Sequence, residues 1–373
     1  MIKERNIFAI ALLLMSVCAT YAQHQVVKDN RGRTMQIYIP KAEEKAGGLE
    51  VEYTDTKFYG QKNELNSAAS PIEMEDEAAA ISRLIKRVTS SLSLTYNPEV
   101  QKYIDRYVKQ GRRSTSCLLA RATYYNPFFE EALRHYGLPM ELKHLPVIES
   151  GLNPKAISGK GAAGLWQFMP TTGRQYDLQI NTFVDERLDP IKSSYAAARM
   201  LADLYNRFGD WSLALAAYNC GPGRVSNAIE KAGEAADFWQ IYEFLPKETR
   251  GYVPAFIAAN YVMNYYAEYN ILPEPTSLPE KAGKVVVTED ISLAKVADVL
   301  NMDIADLRML NPQYRQGIVK TIDGTATLLL PSEKVKCFTD NVSRLYENSE
   351  NSESQRLEMA ARVVKGTMHN PHS

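Results

Sequence analysis

The segment DPIKSSYAAARMLADLYNRFG, residues 189–209, decides the fold class of this chain. Asp189-Pro190 is a typical helix start, because proline suits the first helical turn, and Gly209 is a typical helix end. Between them the apolar residues recur at three- and four-residue steps, the spacing of one helix face. The segment therefore predicts an amphipathic helix packed on a core. Its apolar face comprises Ile191, Tyr195, Ala198, Leu201, Leu204, Tyr205 and Phe208.

Helix signals of the same kind occur on the N-terminal side of this segment. Asn97-Pro98 predicts the start of one helix and Asn126-Pro127 the start of another. We therefore predict a compact α-helical domain over residues 75–272. The expected fold class is mainly α.

A second, smaller domain is predicted after a proline-rich linker at residues 273–283. Alternating and helix-period apolar patterns in residues 284–331 give the order strand, helix, helix, strand, which is a βααβ module. The predicted elements are Lys284–Thr288, Leu293–Leu300, Ile304–Leu310 and Ala326–Leu330.

The two flanking regions are polar. Residues 23–74 predict a mobile leader with one edge strand at residues 35–39, and residues 332–373 predict a solvated tail rich in charge, Ser and Asn. Neither region carries a motif that indicates chemistry.

Residues 1–22 are typical of a secretory signal. Lys3 and Arg5 precede an apolar run at residues 7–17 that is too short to span a bilayer. Lipidation at Cys18 is the alternative, and it would attach the chain to a membrane. We therefore expect an exported protein with possible peripheral membrane association.

Composition and charge exclude several function classes. The 373 residues are 45% hydrophobic and 23% charged, enough for two or three packed domains rather than a disordered chain. Lys and Arg number 43 against 44 Asp and Glu, so no basic field indicates a nucleic-acid partner.

The cysteines indicate neither a metal site nor a redox motif. Cys117, Cys220 and Cys337 remain after signal removal, which allows one disulfide at most. No CxxC or HExxH spacing occurs, so we expect no metal and no cofactor. A Cys–His nucleophile at Cys220 is the sharper alternative to a buried thiol, but no protease signature surrounds it.

Glu149 is the first candidate for chemistry. It ends the apolar stretch HLPVIESG, residues 144–151, rather than lying on a charged face. Partial burial would raise the pKa of this carboxyl and keep its proton available near neutral pH. The residue is therefore placed like a general acid, although a helix-terminal glutamate is the ordinary alternative.

The following run, residues 159–164, satisfies the dinucleotide-binding pattern GxGxxG. That pattern requires a preceding strand and a long following helix, whereas Pro146, Pro154 and Pro170 interrupt this region. We therefore interpret the glycines as positions where backbone can approach a ligand closely.

Two further stretches carry groups suited to a sugar. LWQFMP at residues 165–170 joins aromatic and thioether surface to the amide of Gln167, although Trp166 and Phe168 also suit a core. ALAAYNCGPG at residues 214–223 places a phenol and a carboxamide at a helix end.

Together with ETRGYVP at residues 248–254, these stretches resemble the lysozyme-like lytic transglycosylase family, in its membrane-bound lytic murein transglycosylase D branch. The resemblance covers residues 118–259 and rests on the order and spacing of the motifs. It implies a lysozyme-like helical fold and an exported, monomeric enzyme in the periplasm or at the periplasmic face of the outer membrane. Its substrate would be the glycan strand of peptidoglycan.

The same resemblance implies roles for individual residues. Glu149 would be the single catalytic acid, which protonates the bond between N-acetylmuramic acid and N-acetylglucosamine. The C6 hydroxyl of the muramyl sugar would attack in place of water and give a 1,6-anhydro end. The implied saccharide-binding residues are Ser158, Gln167, Met169, Tyr218, Asn219 and Tyr252.

Residues 284–331 resemble a LysM domain, a βααβ peptidoglycan-binding unit. Leu310-Asn311-Pro312 fits that pattern, whereas the segment at residues 289–293 departs from the usual Gly-Asp-Thr-Leu. The domain is therefore expected either to bind glycan or to act as a spacer.

Two other functions remain open at this point. A lysozyme-type hydrolase on the same fold would need a second carboxylate to activate water, and Asp177, Asp185 and Glu186 are the candidates. A wall-binding scaffold without catalysis is the second, and the intact Glu149 argues against it.

Overall fold

The computed structural model describes residues 24–28, 34–38, 77–88, 91–92, 94–233, 237–342 and 344–346. The chain divides into two compact units. A helical unit comprises Thr54–Glu280 with Asn311–Gln316, and a smaller α/β unit comprises Met1–Tyr53, Lys281–Leu310 and Gly317–Ser373.

The helical unit contains ten α-helices in its described residues, joined by short 3-10 and π turns. In chain order they are α1 Glu77–Val88, α2 Pro98–Asp105, α3 Arg112–His135, α4 Leu145–Ser150, α5 Pro170–Gln175, α6 Pro190–Phe208, α7 Trp211–Cys220, α8 Pro222–Ala232, α9 Lys247–Arg250 and α10 Tyr252–Tyr265.

Helix α6 begins and ends where its sequence predicts. The Asp189 side chain caps it by accepting from the amides of Ile191 and Lys192, and Gly209 ends it with a left-handed φ of 66°. Of its predicted apolar face, Ala198, Leu201 and Leu204 are buried and pack on the core, whereas Tyr205 is exposed.

Helix α10 forms the centre of the helical unit. Residues 252–254 and 256–263 are all buried, and a helix that is buried all round requires neighbours on every side. Helices α1, α2, α4 and α7 pack against it. The core therefore surrounds α10, next to the end of α4.

The predicted helix start at Asn126-Pro127 is wrong. Helix α3 runs through Pro127 without a break, from Arg112 to His135. Proline forfeits one backbone hydrogen bond inside a helix, but Tyr125 and Phe129 are buried on either side of it. Their packing outweighs the lost hydrogen bond and keeps the helix continuous.

The smaller unit contains the predicted βααβ module. Strands β3 Ala282–Val287 and β6 Ala326–Pro331 are antiparallel neighbours, and alternate residues of β3 are buried. Helices α11 Leu293–Leu300 and α12 Ile304–Leu310 have the predicted bounds. A short antiparallel pair, β4 Ile291–Ser292 with β5 Ile318–Val319, completes the connection.

The N-terminal leader contributes two strands to this unit, where one edge strand was predicted. Strands β1 His24–Lys28 and β2 Thr34–Tyr38 form an antiparallel pair, and β2 pairs with β3. The sheet order is β1-β2-β3-β6. Local sequence patterns do not predict the pairing of β2 with β3, because it joins residues about 250 positions apart.

The predicted solvated tail is wrong at its start. Helix α13 spans Ser332–Asp340, and its Val335 and Phe338 are buried. The helix packs on β3 at Gly283, where an added Cβ would lie 2.2 Å from Cγ2 of Val335. Two buried apolar residues in an otherwise polar segment are enough for this contact. The polar composition of the segment therefore does not predict the helix.

Several predictions fall outside the described residues. These are the signal sequence at residues 1–22, Cys18 and the end of the polar tail. Within the part of the chain that the structure describes, no helix is long and apolar enough to cross a membrane.

Candidate active site

Glu149 lies near the end of the short helix α4. Leu145, Pro146 and Val147 are buried and fix this helix against the core, and Gly151 ends it with a left-handed φ of 59°. Glu149 itself is only partly buried. An apolar helix therefore holds a carboxyl at the edge of the core, facing a cavity.

The surroundings of Glu149 favour its protonated form. Burial raises its pKa from 4.5 to about 7, and a hydrogen bond that the hydroxyl of Tyr252 donates to its Oε1 opposes part of this rise. Burial and the charge of Glu149 raise the pKa of Tyr252 and of Tyr218 well above 10, so both phenols stay neutral. Near neutral pH the carboxyl can thus hold a proton for donation.

The glycine-rich loop approaches its own chain rather than a ligand. A Cβ on Gly164, whose φ is 84°, would lie 1.8 Å from the carbonyl oxygen of Arg187. This corrects the predicted reason for the glycines at that position. No preceding strand and no long following helix accompany the loop in the described chain, since α5 has only six residues. The dinucleotide-binding alternative is therefore excluded.

A buried ion pair holds this loop in place. The Arg187 guanidinium makes two hydrogen bonds to Asp185, at 2.9 and 2.8 Å. It also donates to the carbonyl oxygens of Gly161 at 2.7 Å and Phe168 at 3.1 Å. Because these bonds span the loop, the pair fixes the wall of the cavity beside Glu149.

Gln167 lines the cavity, and its amide nitrogen is bonded within the protein. Its backbone is left-handed, with a φ of 50°, which is uncommon for a residue with a side chain. Its Nε2 donates to the carbonyl oxygens of Gly164 at 2.8 Å and Ala156 at 3.3 Å. The protein therefore occupies the donors of this amide and leaves Oε1 for a ligand.

The end of α7 supplies a phenol and a carboxamide. The Tyr218 hydroxyl donates to the carbonyl oxygen of Trp166 at 2.8 Å. Asn219 is exposed, and its Oδ1 accepts a hydrogen bond from the Thr249 hydroxyl at 2.9 Å. Left-handed Gly221, at φ 90°, ends the helix, so both side chains stay at the rim of the cavity.

One cavity of about 480 Å³ brings these groups together. It contains Glu149 and is large enough for part of an oligosaccharide chain. Its lining comprises Glu149, Ser158, Lys160, Ala162, Gln167, Phe168, Met169, Thr172, Met200, Tyr218, Asn219, Cys220, Arg224, Pro246, Glu248 and Thr249.

The structure places the predicted site residues next to one another. Ser158, Gln167, Met169, Tyr218 and Asn219 line the same cavity as Glu149. Tyr252, the remaining predicted residue, contacts it by donating a hydrogen bond to Glu149.

Trp166 and Phe168, which the sequence allows either as sugar-binding surface or as core residues, belong to the core. Trp166 is fully buried and donates its indole N–H to Ser194 at 2.9 Å. Phe168 is 2% exposed, and it packs in the core beneath the cavity that it helps to line. Met169, by contrast, is 40% exposed and offers thioether surface to the cavity.

Several lining residues were not predicted. Lys160 and Glu248 form an exposed ion pair at 3.4 Å, and Arg224 and Thr249 lie on helices α8 and α9. Their sequence context is charged or polar, so no local pattern distinguishes them from surface. Their common signal is position in or next to the quoted motifs. Lys160 lies in the glycine-rich run, Arg224 follows the Gly-Pro-Gly turn, and Glu248-Thr249 begin the stretch ETRGYVP.

The three carboxylates that were candidates for activating water lie outside the cavity that contains Glu149. Asp185 is paired with Arg187 and buried. Glu186 is buried, pairs with Lys192 and accepts from the amide of Gln179 at 2.8 Å. Asp177 points to solvent, with 82% of its side chain exposed. None of the three lines the cavity, so they cannot serve as its second carboxylate.

The cysteine alternatives are also resolved. Cys117, Cys220 and Cys337 are free thiols. Cys220 lines the cavity, but no histidine does, so a Cys–His nucleophile is absent from it. In the described ranges no three His, Cys, Asp or Glu side chains cluster closely enough to hold a metal ion.

Comparison with known protein families matches each of the two units to a domain family. Residues 126–241 match the Transglycosylase SLT domain. Residues 281–347 match the LysM-like domain of lytic transglycosylase MltD, and this match includes helix α13. The chain therefore carries a transglycosylase SLT domain followed by a LysM-like domain. The predicted transglycosylase and LysM-like domains are confirmed, as is the predicted class, mainly α with a small βααβ domain.

Individual relatives agree with these domains. The Membrane-bound lytic murein transglycosylase D of Escherichia coli (strain K12) is 37% identical over 195 residues, which cover 51% of this chain and 43% of the relative. A Putative tributyltin chloride resistance protein of Alteromonas sp. (strain M-1) is 40% identical over 119 residues, 32% of this chain and 58% of the relative. The chain thus spans less than half the length of the first of these relatives.

A solved structure is also similar. The 70 kDa soluble lytic transglycosylase of Escherichia coli matches with a TM-score of 0.34 and 29% identity, over 40% of this chain and 25% of that one.

Proposed function

We propose that this protein is a lytic transglycosylase that cleaves the β-1,4 bond between N-acetylmuramic acid and N-acetylglucosamine in peptidoglycan. The observation that carries the proposal is the single partly buried carboxyl of the cavity, Glu149, whose pKa is raised to about 7. The SLT domain, matched over residues 126–241, supports the same reaction.

The reaction needs one group that first gives and then takes a proton. Glu149 donates its proton to the glycosidic oxygen as the bond from that oxygen to muramyl C1 breaks, and N-acetylglucosamine leaves with a free 4-hydroxyl. The muramyl C6 oxygen then bonds to C1, and its proton returns to the Glu149 carboxylate. The product is a 1,6-anhydro ring, the enzyme regains its starting state, and no water is consumed.

The internal nucleophile explains why one carboxyl suffices. Most glycosidases place two carboxyl groups across the bond, one to protonate and one to attack or to activate water. An attacking hydroxyl within the same sugar needs no second carboxyl, because its effective concentration is already very high and the Glu149 carboxylate accepts its proton. The other carboxylate of the cavity, Glu248, is 83% exposed and paired with Lys160, which suits surface charge rather than base catalysis.

The remaining predicted residues would bind and orient the sugar. Gln167 offers an amide oxygen and Met169 apolar surface, while Ser158 retains a hydroxyl proton because its Oγ accepts from the amide of Ala162. Tyr252, through its hydrogen bond to Glu149, would hold the carboxyl in one orientation. These roles are part of the proposal.

We also propose that the LysM-like domain binds glycan and raises the local concentration of substrate at the cavity. The protein would act as an exported monomer, in the periplasm or at the periplasmic face of the outer membrane, with any membrane association peripheral. Full-length protein should then pellet with insoluble sacculi more completely than a chain that ends at residue 280. Equal pelleting would assign the domain a spacer role.

Two measurements test the proposed reaction. Glu149→Gln should abolish clearing of a peptidoglycan gel, because the amide cannot donate a proton. In the wild type, kcat/KM should be level below about pH 6 and fall tenfold per pH unit above about pH 7, as the acid ionises. Undiminished clearing by the variant, or a rate that increases through pH 7, would contradict the role of Glu149.

A further inference from the structure

We propose that Thr249 is a positioning residue, which orients the carboxamide of Asn219 so that its N–H groups face the acetamido carbonyl of a bound sugar. This inference rests on the proposed function, since it concerns the substrate of the same cavity. Thr249 lies in the stretch ETRGYVP between two charged residues, and the sequence alone assigns it no role.

The contact that carries the inference joins two separate helices. Thr249 lies on α9 and is 1% exposed, whereas Asn219 lies at the end of α7 and is exposed. The Thr249 hydroxyl donates to Asn219 Oδ1 at 2.9 Å, and both residues line the cavity. A buried side chain thus holds an exposed one at the surface that a ligand would contact.

The direction of this hydrogen bond decides what Asn219 can offer. A carboxamide has one accepting oxygen and two donating N–H groups on opposite sides. When Thr249 holds Oδ1, the N–H groups must point away from it. Without that bond the amide could rotate by half a turn and present its oxygen instead. Because Thr249 is shielded from water, no solvent molecule competes for its proton.

Gln167 supplies the opposite polarity in the same cavity. Its N–H groups are bonded to backbone carbonyl oxygens, so it presents Oε1. An acetamido group has one carbonyl oxygen and one N–H, and the two fixed amides offer one donor and one acceptor. The ligand class that this pair fits is a 2-acetamido sugar rather than an unsubstituted one.

Binding to the inactive protein tests the inference without depending on cleavage. The background is full-length Glu149→Gln, and the probes are the linear tetramer of N-acetylglucosamine and the matching tetramer of glucosamine, titrated by calorimetry. In this background Thr249→Val removes the hydroxyl, whereas Thr249→Ser keeps it. Thr115→Val is the matched control, because Thr115 is also buried and its hydroxyl bonds to backbone oxygens.

The expected result is specific to the acetamido group. Thr249→Val should weaken binding of the N-acetylated tetramer about fivefold, the effect of one net hydrogen bond, and leave the glucosamine tetramer unchanged. Thr249→Ser and Thr115→Val should bind both tetramers as the background does. Adding Thr249→Val to Asn219→Ala should cost nothing more, since the group that it positions is gone.

Three results would overturn the inference. These are full affinity of Thr249→Val for the N-acetylated tetramer, equal losses for both tetramers, or an additive loss in the Asn219→Ala protein. Should Thr249→Val fail to fold, Asn219→Asp gives the answer, because it keeps the acceptor for Thr249 and removes the donors. We expect Asn219→Asp to lose as much affinity as Asn219→Ala, and full affinity would refute the inference. Failure of the proposed reaction would appear separately, in the products of the active enzyme.

Discussion

Replacing Glu149 by Gln should make the folded protein more stable at high pH, although it removes the catalytic acid. The raised pKa means that the folded state retains the Glu149 proton up to about pH 7, whereas the unfolded chain releases it near pH 4.5. Between these values the folded state binds the extra proton, so the stability of the wild type falls as the pH increases. Gln cannot ionise, and its oxygen can still accept the hydrogen bond from Tyr252.

The size of the effect follows from the pKa difference. The pKa moves from 4.5 to about 7, and at about 1.4 kcal/mol per unit complete ionisation would cost roughly 3 to 4 kcal/mol. Because Glu149 is partly exposed to water in the cavity, we expect about 1 to 3 kcal/mol. For a domain of this size that corresponds to a melting temperature higher by about 2–10 °C.

Thermal unfolding followed by circular dichroism from pH 4 to pH 9 measures this difference. The Glu149→Gln and wild-type curves should coincide near pH 4.5 and separate progressively up to pH 8. Buried His144, whose pKa is lowered to about 3, also makes stability depend on pH, but it is common to both proteins and cancels in the difference. Glu248→Gln removes the same charge from an exposed side chain and controls for net charge. A constant gap at every pH, or a gap that closes above pH 7, would refute the reasoning.

Three further variants test the cavity wall. Gly164→Ala should prevent folding or lower the free energy of unfolding by more than about 3 kcal/mol, because its Cβ would overlap backbone. Gly161→Ala has open space around its Cβ and a φ of 86°, so it should cost only about 1 kcal/mol. Equal melting temperatures of the two variants would contradict this expectation. Asp185→Asn leaves the buried Arg187 charge without its partner and should lower the free energy of unfolding by about 3–5 kcal/mol in urea titrations. Glu248→Gln should still release anhydro products, and a change to hydrated products would identify Glu248 as a base that activates water.

Local pattern predicted those elements whose stability is decided locally. Helix α6 has a cap, an apolar face and a terminal glycine, so its bounds follow from the sequence. Helix α3 passes through Pro127 because distant aromatic contacts compensate for one lost hydrogen bond. The pairing of β2 with β3 and the contact of Val335 with Gly283 are likewise tertiary, and no window of sequence contains both partners.

Some features of the site also follow from local sequence, whereas others depend on tertiary contacts. The partial burial of Glu149 was predictable, because the residue ends an apolar run. Thr249 was not, because its significance lies in one hydrogen bond to a residue 30 positions earlier. Gly164 was recognised as a close-approach position, but only the fold identifies the Arg187 backbone as the neighbour that requires it.

The most direct test of the central claim, that Glu149 acts alone and the sugar supplies its own nucleophile, is the origin of the oxygen at the new muramyl end. Isolated glycan strands should be digested in water enriched in oxygen-18, and the released fragments should be analysed by mass spectrometry. We predict fragments one water lighter than hydrolysed ones, with no label at muramyl C1. Hydrated fragments that carry the heavy oxygen at C1 would contradict the account.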